Sequence, residues 1–336
     1  MKKVVTVGEI LLRLSTEMGR RLSQTDKLYM HYGGAETNVG ISLAEFGHDV
    51  YVISKVPNNP LGIAVERYLR SYRVHTNYLL KGGERLGTYY LETGVGQRSA
   101  QVIYDRKNSS FANLEKEEVP IREILHNTDL LHITGITPAL SKSLRELTLS
   151  TLKSAKEHNV LTSFDFNYRA KLWSQKDAGE VIKSLLPYVD ICSCGELDAI
   201  HLLGIKSNVS LSKKDRLIYY YKKIEEMYPN IKCFYSTFRD VTSASTNTLQ
   251  GNLYVNGELY QSKVYVIDHI VDRVGGGDAF SSGILHGLLE NLEPKQIVSF
   301  ATAASVLKHT VHGDGNPFSK EEIFAFANNG SSKISR

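Results

Sequence analysis

Apolar residues come in two rhythms along this chain. Short continuous runs alternate with stretches in which apolar positions return every three or four residues, the signatures of buried strands and of helices with one buried face. The run from Val4 to Leu12 predicts a buried first strand. From Ala35 to Phe46, the residues Val39, Leu43 and Phe46 share one helical face, and Gly47 stands where a C-terminal cap glycine belongs. Val50 to Val56 predicts the next strand, and a helix from Gly62 carries Val65, Tyr68, Leu69 and Tyr72 on one side. Strand, helix, strand, helix is the order of a mostly parallel sheet covered by helices.

The alternation then breaks. Residues 13–34 are polar and suggest no core helix, and Thr88 to Thr93 and Ala100 to Tyr104 flank a Gly94-Val95-Gly96 turn with no helix between them. These pieces predict a small β unit standing off the main sheet, with a simple edge hairpin as the alternative. From about residue 112 the alternation resumes, with strands at Asp129–Thr134, Val160–Phe166, Val189–Ser193 and Cys233–Ser236. A helix over 141–157 buries Leu144, Leu147, Thr151, Leu152 and Ala155. Asn256-Gly257 marks a hairpin within 252–260, and helices follow at 280–289, 294–308 and from Ser319. The whole reads as one large α/β domain with a doubly wound, mostly parallel sheet. Ligands in such sheets sit beyond the carboxyl ends of the strands, where Asp165, Ser193 and Asp278 fall.

Composition narrows the function classes. Hydrophobic content of 42% and charged content of 23% over 336 residues are ordinary for a soluble globular chain. The net charge is only +4 and no basic run stands out, so nucleic acid is not an expected partner. Three cysteines without a C-x-x-C pair argue against a disulfide framework and for a reducing cytosol. The apolar N-terminal stretch is interrupted at Glu9 and Arg13, too short and too charged for a membrane span.

The chemistry concentrates at one junction. Val264–Ile267 predicts a strand, and Val271-Asp272-Arg273-Val274-Gly275-Gly276-Gly277-Asp278-Ala279-Phe280 leads into a helix with Phe280, Ile284 and Leu288 on one face. Three glycines there let the backbone turn tightly and approach a ligand, with free amides and partial positive charge at the helix start. Asp278 would repel an anion bound there unless it were needed, as a base taking the proton of a hydroxyl that attacks phosphorus. The plainer alternative is a glycine turn with Asp278 as a helix cap.

This segment resembles the C-terminal signature of the ribokinase-like (PfkB-type) sugar kinases, commonly D-T-x-G-A-G-D-x-F, with Arg273 in place of Thr and Gly276 in place of Ala. Gly33-Gly34-Ala35-Glu36-Thr37-Asn38-Val39-Gly40 resembles the N-terminal glycine-pair signature of the same family. Within it the chain is most similar to 2-keto-3-deoxygluconate kinases. The resemblance implies a ribokinase-like fold with a β lid at about 13–34 and 85–110. It also implies ATP and Mg²⁺, allows a monovalent cation such as K⁺, and names no protein metal ligands. Asp278 would be the base, with Gly275, Gly276 and Gly277 around the transferring phosphoryl group. Gly33, Gly34 and Asn38 would meet the sugar. So would Tyr89, Tyr104 and Arg106 from the lid, Ile136 in Ile133-Thr-Gly-Ile-Thr-Pro-Ala139, Arg169 in Asp165-Phe-Asn167-Tyr-Arg169, and Asp314 near the end. Asp165, Asn167 and Ser236, with Gly275 and Gly277, would lie on the nucleotide side.

Two arginines exceed the needs of a neutral hexose and suit a sugar acid, since a guanidinium pairs with a carboxylate through two parallel bonds. An arginine taken singly is most often a surface charge, and Asn38 could equally be a solvated or capping amide. Two departures affect the nucleotide end. Gly195-Glu-Leu-Asp198 stands where the family has N-x-x-E. The family's T-x-G-x-x-G is replaced by the glycine-free stretch Ser236 to Asn247. A fructokinase-like enzyme and a non-catalytic sugar-binding relative are the alternatives, and exposed lid edges suggest a homo-oligomer. H-E-x-x-H, a P-loop lysine and a G-x-G-x-x-G after the first strand are all missing, which disfavours a zinc hydrolase or a Rossmann dehydrogenase.

Overall fold

A computed structural model describes residues 1–329. Its strands are β1 (Lys3–Val7), β2 (Leu11–Ser15), β3 (Tyr29–Gly33), β4 (Asp49–Val56), β5 (Leu79–Lys81), β6 (Thr88–Glu92), β7 (Gln101–Asp105), β8 (Leu130–Thr134), β9 (Leu161–Asp165), β10 (Ile191–Ser193), β11 (Cys233–Val241), β12 (Asn247–Val255), β13 (Glu258–Gln261) and β14 (Tyr265–Ile267). The main sheet runs β13-β12-β11-β10-β9-β8-β1-β4-β5, with β14 also on β12. It is parallel from β11 to β5, and antiparallel where β12 joins β11, β13 and β14.

Successive side chains of a strand alternate between faces, and the core follows. Val5 and Val7 of β1 join one apolar layer and Val4 the other. Helices α1 (Ala35–Glu45), α2 (Pro60–Ser71), α9 (Gly276–Leu289), α10 (Pro294–Lys308) and α11 (Lys320–Asn329) supply the layer containing Val39, Val65, Ile284 and Phe300. Helices α3 (Ile121–Leu125), α4 (Ile136–Leu140), α5 (Lys142–Glu157), α6 (Gln175–Leu185), α7 (Glu196–His201) and α8 (Lys213–Met227) cover the opposite face with Ile124, Ala139, Leu144, Ile182, Ala199 and Tyr221. The buried stripe expected over 141–157 is present, capped by Ser141 Oγ accepting from the Leu144 amide at 3.2 Å.

One expectation is corrected. The apolar run from Val4 to Leu12 is two strands, not one. A Cβ on Gly8 would collide with the Glu36 side chain, and the main-sheet strand ends at Val7. Leu11 then starts a strand of a separate four-stranded sheet ordered β3-β2-β6-β7. Strand β2 pairs antiparallel with β3 and parallel with β6, and β6 pairs antiparallel with β7. The register aligns His31, Arg13, Tyr89 and Tyr104 in one row, and Met30, Leu14, Tyr90 and Ile103 in the next. Neighbouring rows point to opposite faces. Tyr89 and Arg13 are buried against the body, whereas Met30 and Ile103 are each 53% exposed.

Candidate active site

The floor of the site is the start of α9. Gly275 has φ +81°, and a Cβ there would strike the Asp314 carbonyl, so the turn requires glycine twice over. The backbone N–H groups of Gly277 and Asp278 find no acceptor among the described residues. A Cβ on Gly277 would meet nothing, because that position faces open space. Gly276 turns the other way: its Cβ position is against the His309 ring, and its carbonyl accepts from Ser305 Oγ at 2.7 Å. Gly276 packs the turn against α10 and does not line the cleft.

Asp278 Oδ2 accepts a hydrogen bond from Asn38 Nδ2 at 2.7 Å, and Asn38 Oδ1 accepts from the Gly34 amide at 3.3 Å. Two signature segments 240 residues apart therefore meet at one carboxylate. Burial pushes the Asp278 carboxyl up to about 6; the Asn38 bond and Arg169 oppose the rise, and Glu36 and Asp314 add to it. Burial, then the charges of Asp278 and Asp198, push Asp165 up to about 7. Both values lie near neutrality, where a carboxylate can exchange a proton in catalysis.

A cleft of about 420 Å³ opens above this floor, lined by residues from both sheets. Gly33 and Gly34 let it close tightly, since a Cβ on either would displace the Asp314 side chain or the Glu9 carbonyl. Tyr89, Tyr104 and Arg106 reach in from the small sheet, and Ile136, Asn167 and Arg169 from the strand ends of the main one. Asn167, at φ +40°, gives its amide to Asp165 Oδ1 at 3.1 Å. Ser236 does not line the cleft; Tyr221 Oη donates to its Oγ at 2.8 Å.

The cationic and anionic groups are sorted unevenly. Arg106 is committed to Glu9, whose other oxygen takes the Ser109 hydroxyl. Arg169 donates only to the Asn167 and Tyr168 carbonyls and has no carboxylate partner among the described residues. Asp314 lines the cleft with both oxygens occupied, by Arg13 at 2.8 Å and by Tyr89 Oη at 2.6 Å, and Arg13 also grips Asp272 at 2.8 Å. Asp314 thus braces Tyr89 and the glycine turn. Asp198 accepts from the Gly195 amide at 2.8 Å and caps α7, while Glu196 pairs with Arg216. Glu36 is buried under three donors from Thr134 and Thr137, and burial raises its pKa.

Four cleft residues are ones that sequence reasoning missed. Glu9 was hidden inside a run read as strand. Glu36 and Arg273 sit inside the two signatures, where position alone could have flagged them. Arg239 lies on a polar continuation of β11, which runs five residues past Ser236 because β12 pairs along its length. Lys308, fully buried, stands behind the turn with its Cε 3.3 Å from the Cβ position of Gly275. A larger, more apolar cavity of about 640 Å³, lined by Thr16, His31, Leu91 and Val271 among others, contains neither Asp278 nor the free amides. The two raised carboxyls, Asp165 and Asp278, line the smaller cleft.

Comparison with known proteins places the chain among carbohydrate kinases. The model of the pfkB family carbohydrate kinases matches residues 1–321. A PfkB family carbohydrate kinase from Listeria grayi is 44% identical with a TM-score of 0.94, over 98% of this chain and 100% of that one. A 2-dehydro-3-deoxygluconokinase from Thermotoga maritima is 39% identical, with the same TM-score of 0.94 and the same coverage of 98% and 100%. A 2-dehydro-3-deoxygalactonokinase from Haloferax volcanii is 31% identical over 335 residues, 99% of each chain.

Proposed function

The chain belongs to the pfkB family of carbohydrate kinases, and on that premise we propose that it phosphorylates 2-keto-3-deoxygluconate (2-dehydro-3-deoxygluconate) with ATP, giving the 6-phosphate. The observation that carries the reading is Asp278, a carboxylate with a raised pKa at a helix start where the Gly277 and Asp278 amides find no acceptor among the described residues. The terminal hydroxyl oxygen attacks the γ-phosphorus, Asp278 takes the hydroxyl proton, and the bond from phosphorus to the ADP oxygen breaks. The Gly277 and Asp278 amides stabilise charge on the phosphoryl oxygens, which is most of what phosphoryl transfer needs from a protein. The small sheet serves as the lid of a single kinase domain, bringing Tyr89, Tyr104 and Arg106 over the sugar and excluding water. Arg169, without a carboxylate partner among the described residues, receives the sugar carboxylate, while Arg106 shares its charge with Glu9.

Asp165, in the cleft with Asp198 behind it, suits a hydrated Mg²⁺ carried in on the nucleotide, since a divalent cation would offset the burial, and then the charges of Asp278 and Asp198, that raise the Asp165 pKa. Bound there, the ion would neutralise phosphate charge. Lys308 stands buried behind the turn, where burial lowers its pKa against the pull of Asp272 and Asp314, and we assign the site no separate monovalent cation. The outer lid row of Met30, Leu14, Tyr90 and Ile103 fits the same row of a second copy. No helix among the described residues is long and apolar enough to cross a membrane, and buried unpaired Cys192, Cys194 and Cys233 suit a reducing compartment.

The Haloferax relative favours a second reading, the C4 epimer 2-keto-3-deoxygalactonate. The test is incubation with ATP and each sugar acid, with the product identified by ³¹P NMR and mass spectrometry. A 6-phosphate formed faster from the gluconate-derived acid is expected. A preference for the epimer would replace the substrate, and phosphorylation of neither acid would sink the acid-sugar reading.

A further inference from the structure

Arg239 and Arg273 are two cleft residues to which the mechanism above gives no work. Neither has a carboxylate partner among the described residues, although Arg13, Arg106 and Arg216 nearby in the fold all do. Arg239 makes no side-chain hydrogen bond at all among those residues, and the buried Nε of Arg273 is unpartnered. The two line the same cleft, and burial, then the charge of Arg273, disfavours the charge on Arg239. Like charges held together without an anion are costly, and a fold keeps them where an anion arrives.

Their placement says which anion. Arg273 belongs to the glycine turn itself: its carbonyl accepts from the Gly276 amide at 3.3 Å, and its guanidinium is oriented by the fully buried Asn247. The side chain and the free amides of Gly277 and Asp278 are therefore held by one short loop. Arg239 approaches from β11, the strand whose neighbour β12 carries Asn247. Burial holds His309 down to about 4, and Arg239, Lys308 and Arg273 press it in the same direction. The family's usual residue before this turn is a neutral threonine, and the glycine-rich stretch expected after Ser236 is missing. Two arginines stand in those two places.

We infer that Arg239 and Arg273 form a guanidinium clamp for the phosphate chain of the nucleotide, facing the amides at the start of α9. A guanidinium matches two phosphate oxygens at once, so the pair compensates for the phosphate contacts that the altered segments no longer offer. This inference rests on the kinase reading but not on the identity of the sugar.

Binding of ATP and of adenosine, measured by calorimetry without any sugar, tests it. Wild type should hold ATP far more tightly than adenosine. Arg273→Gln and Arg239→Gln should each weaken ATP by about tenfold or more, the value of a lost charge-assisted bond, and leave adenosine unchanged. Arg273→Lys, which keeps the charge, should recover part of the loss. In turnover assays the KM for ATP should rise and that for the sugar acid should not. Equal weakening of ATP and adenosine, or a rise confined to the sugar-acid KM, would overturn the clamp. Wild-type protein that binds no ATP would instead overturn the kinase reading beneath it.

Discussion

Asp278 is the residue on which the chemistry turns, and its surroundings define what its removal should do. Asp278→Asn preserves shape but cannot take a proton, so turnover should fall by about 10²–10⁴-fold while calorimetric sugar binding persists. Because Asp278 must be ionised to act, kcat/KM should fall in acid, with a limb near its pKa of about 6. Asn38 holds that value down, so Asn38→Leu should move the limb to higher pH; an unmoved limb would mean that another group titrates. The same shift has a stability consequence. A carboxyl whose pKa is about 6 when folded, against an ordinary 3.8, favours the folded state while protonated. That contribution is complete in acid below the ordinary value and is lost as pH rises through about 6. Asp278→Asn should therefore raise the melting temperature at mildly alkaline pH and change it little in strong acid. Exchanging K⁺ for choline should leave kcat unchanged, because the buried Lys308 side chain already stands behind the turn; a large loss would show that a bound cation is needed.

At the scale of elements, the helices and parallel strands were readable because each buries a periodic apolar face, as the stripe from Leu144 to Ala155 does. The split between β1 and β2 was not. Both halves are apolar, and only the intrusion of Glu36 at Gly8, from 28 residues downstream, separates them. Charge partners were equally hidden. Arg106 could be picked out as a cleft residue, yet its commitment to Glu9 depends on a contact 97 residues away. The far end of β11 is polar because it borders a cleft, and so its pattern gave no strand signal for Arg239. The lid does carry one legible feature with a consequence. Its outer row of Met30, Leu14, Tyr90 and Ile103 alternates with the inward row, as one buried and one exposed face would. If a second copy covers that row, Ile103→Lys should convert a dimer to a monomer in light scattering, and an unaltered mass would place any interface elsewhere.

For the molecule as a whole, the central claim is that the cleft between sheet and lid takes a sugar acid. The claim rests on a guanidinium with no carboxylate partner among the described residues, Arg169, beside one that is half spent, Arg106. A charge-assisted bond is worth about 1.5–3 kcal/mol, or about ten- to a hundredfold in an equilibrium constant. The measurement that bears on it most directly is kcat/KM for 2-keto-3-deoxygluconate against fructose, in wild type, Arg169→Ala and Arg106→Ala. Wild type should prefer the acid, Arg169→Ala should lose most of that preference, and Arg106→Ala should lose less of it because Glu9 already draws on its charge. Wild type favouring fructose, or Arg169→Ala losing both substrates equally, would contradict the account.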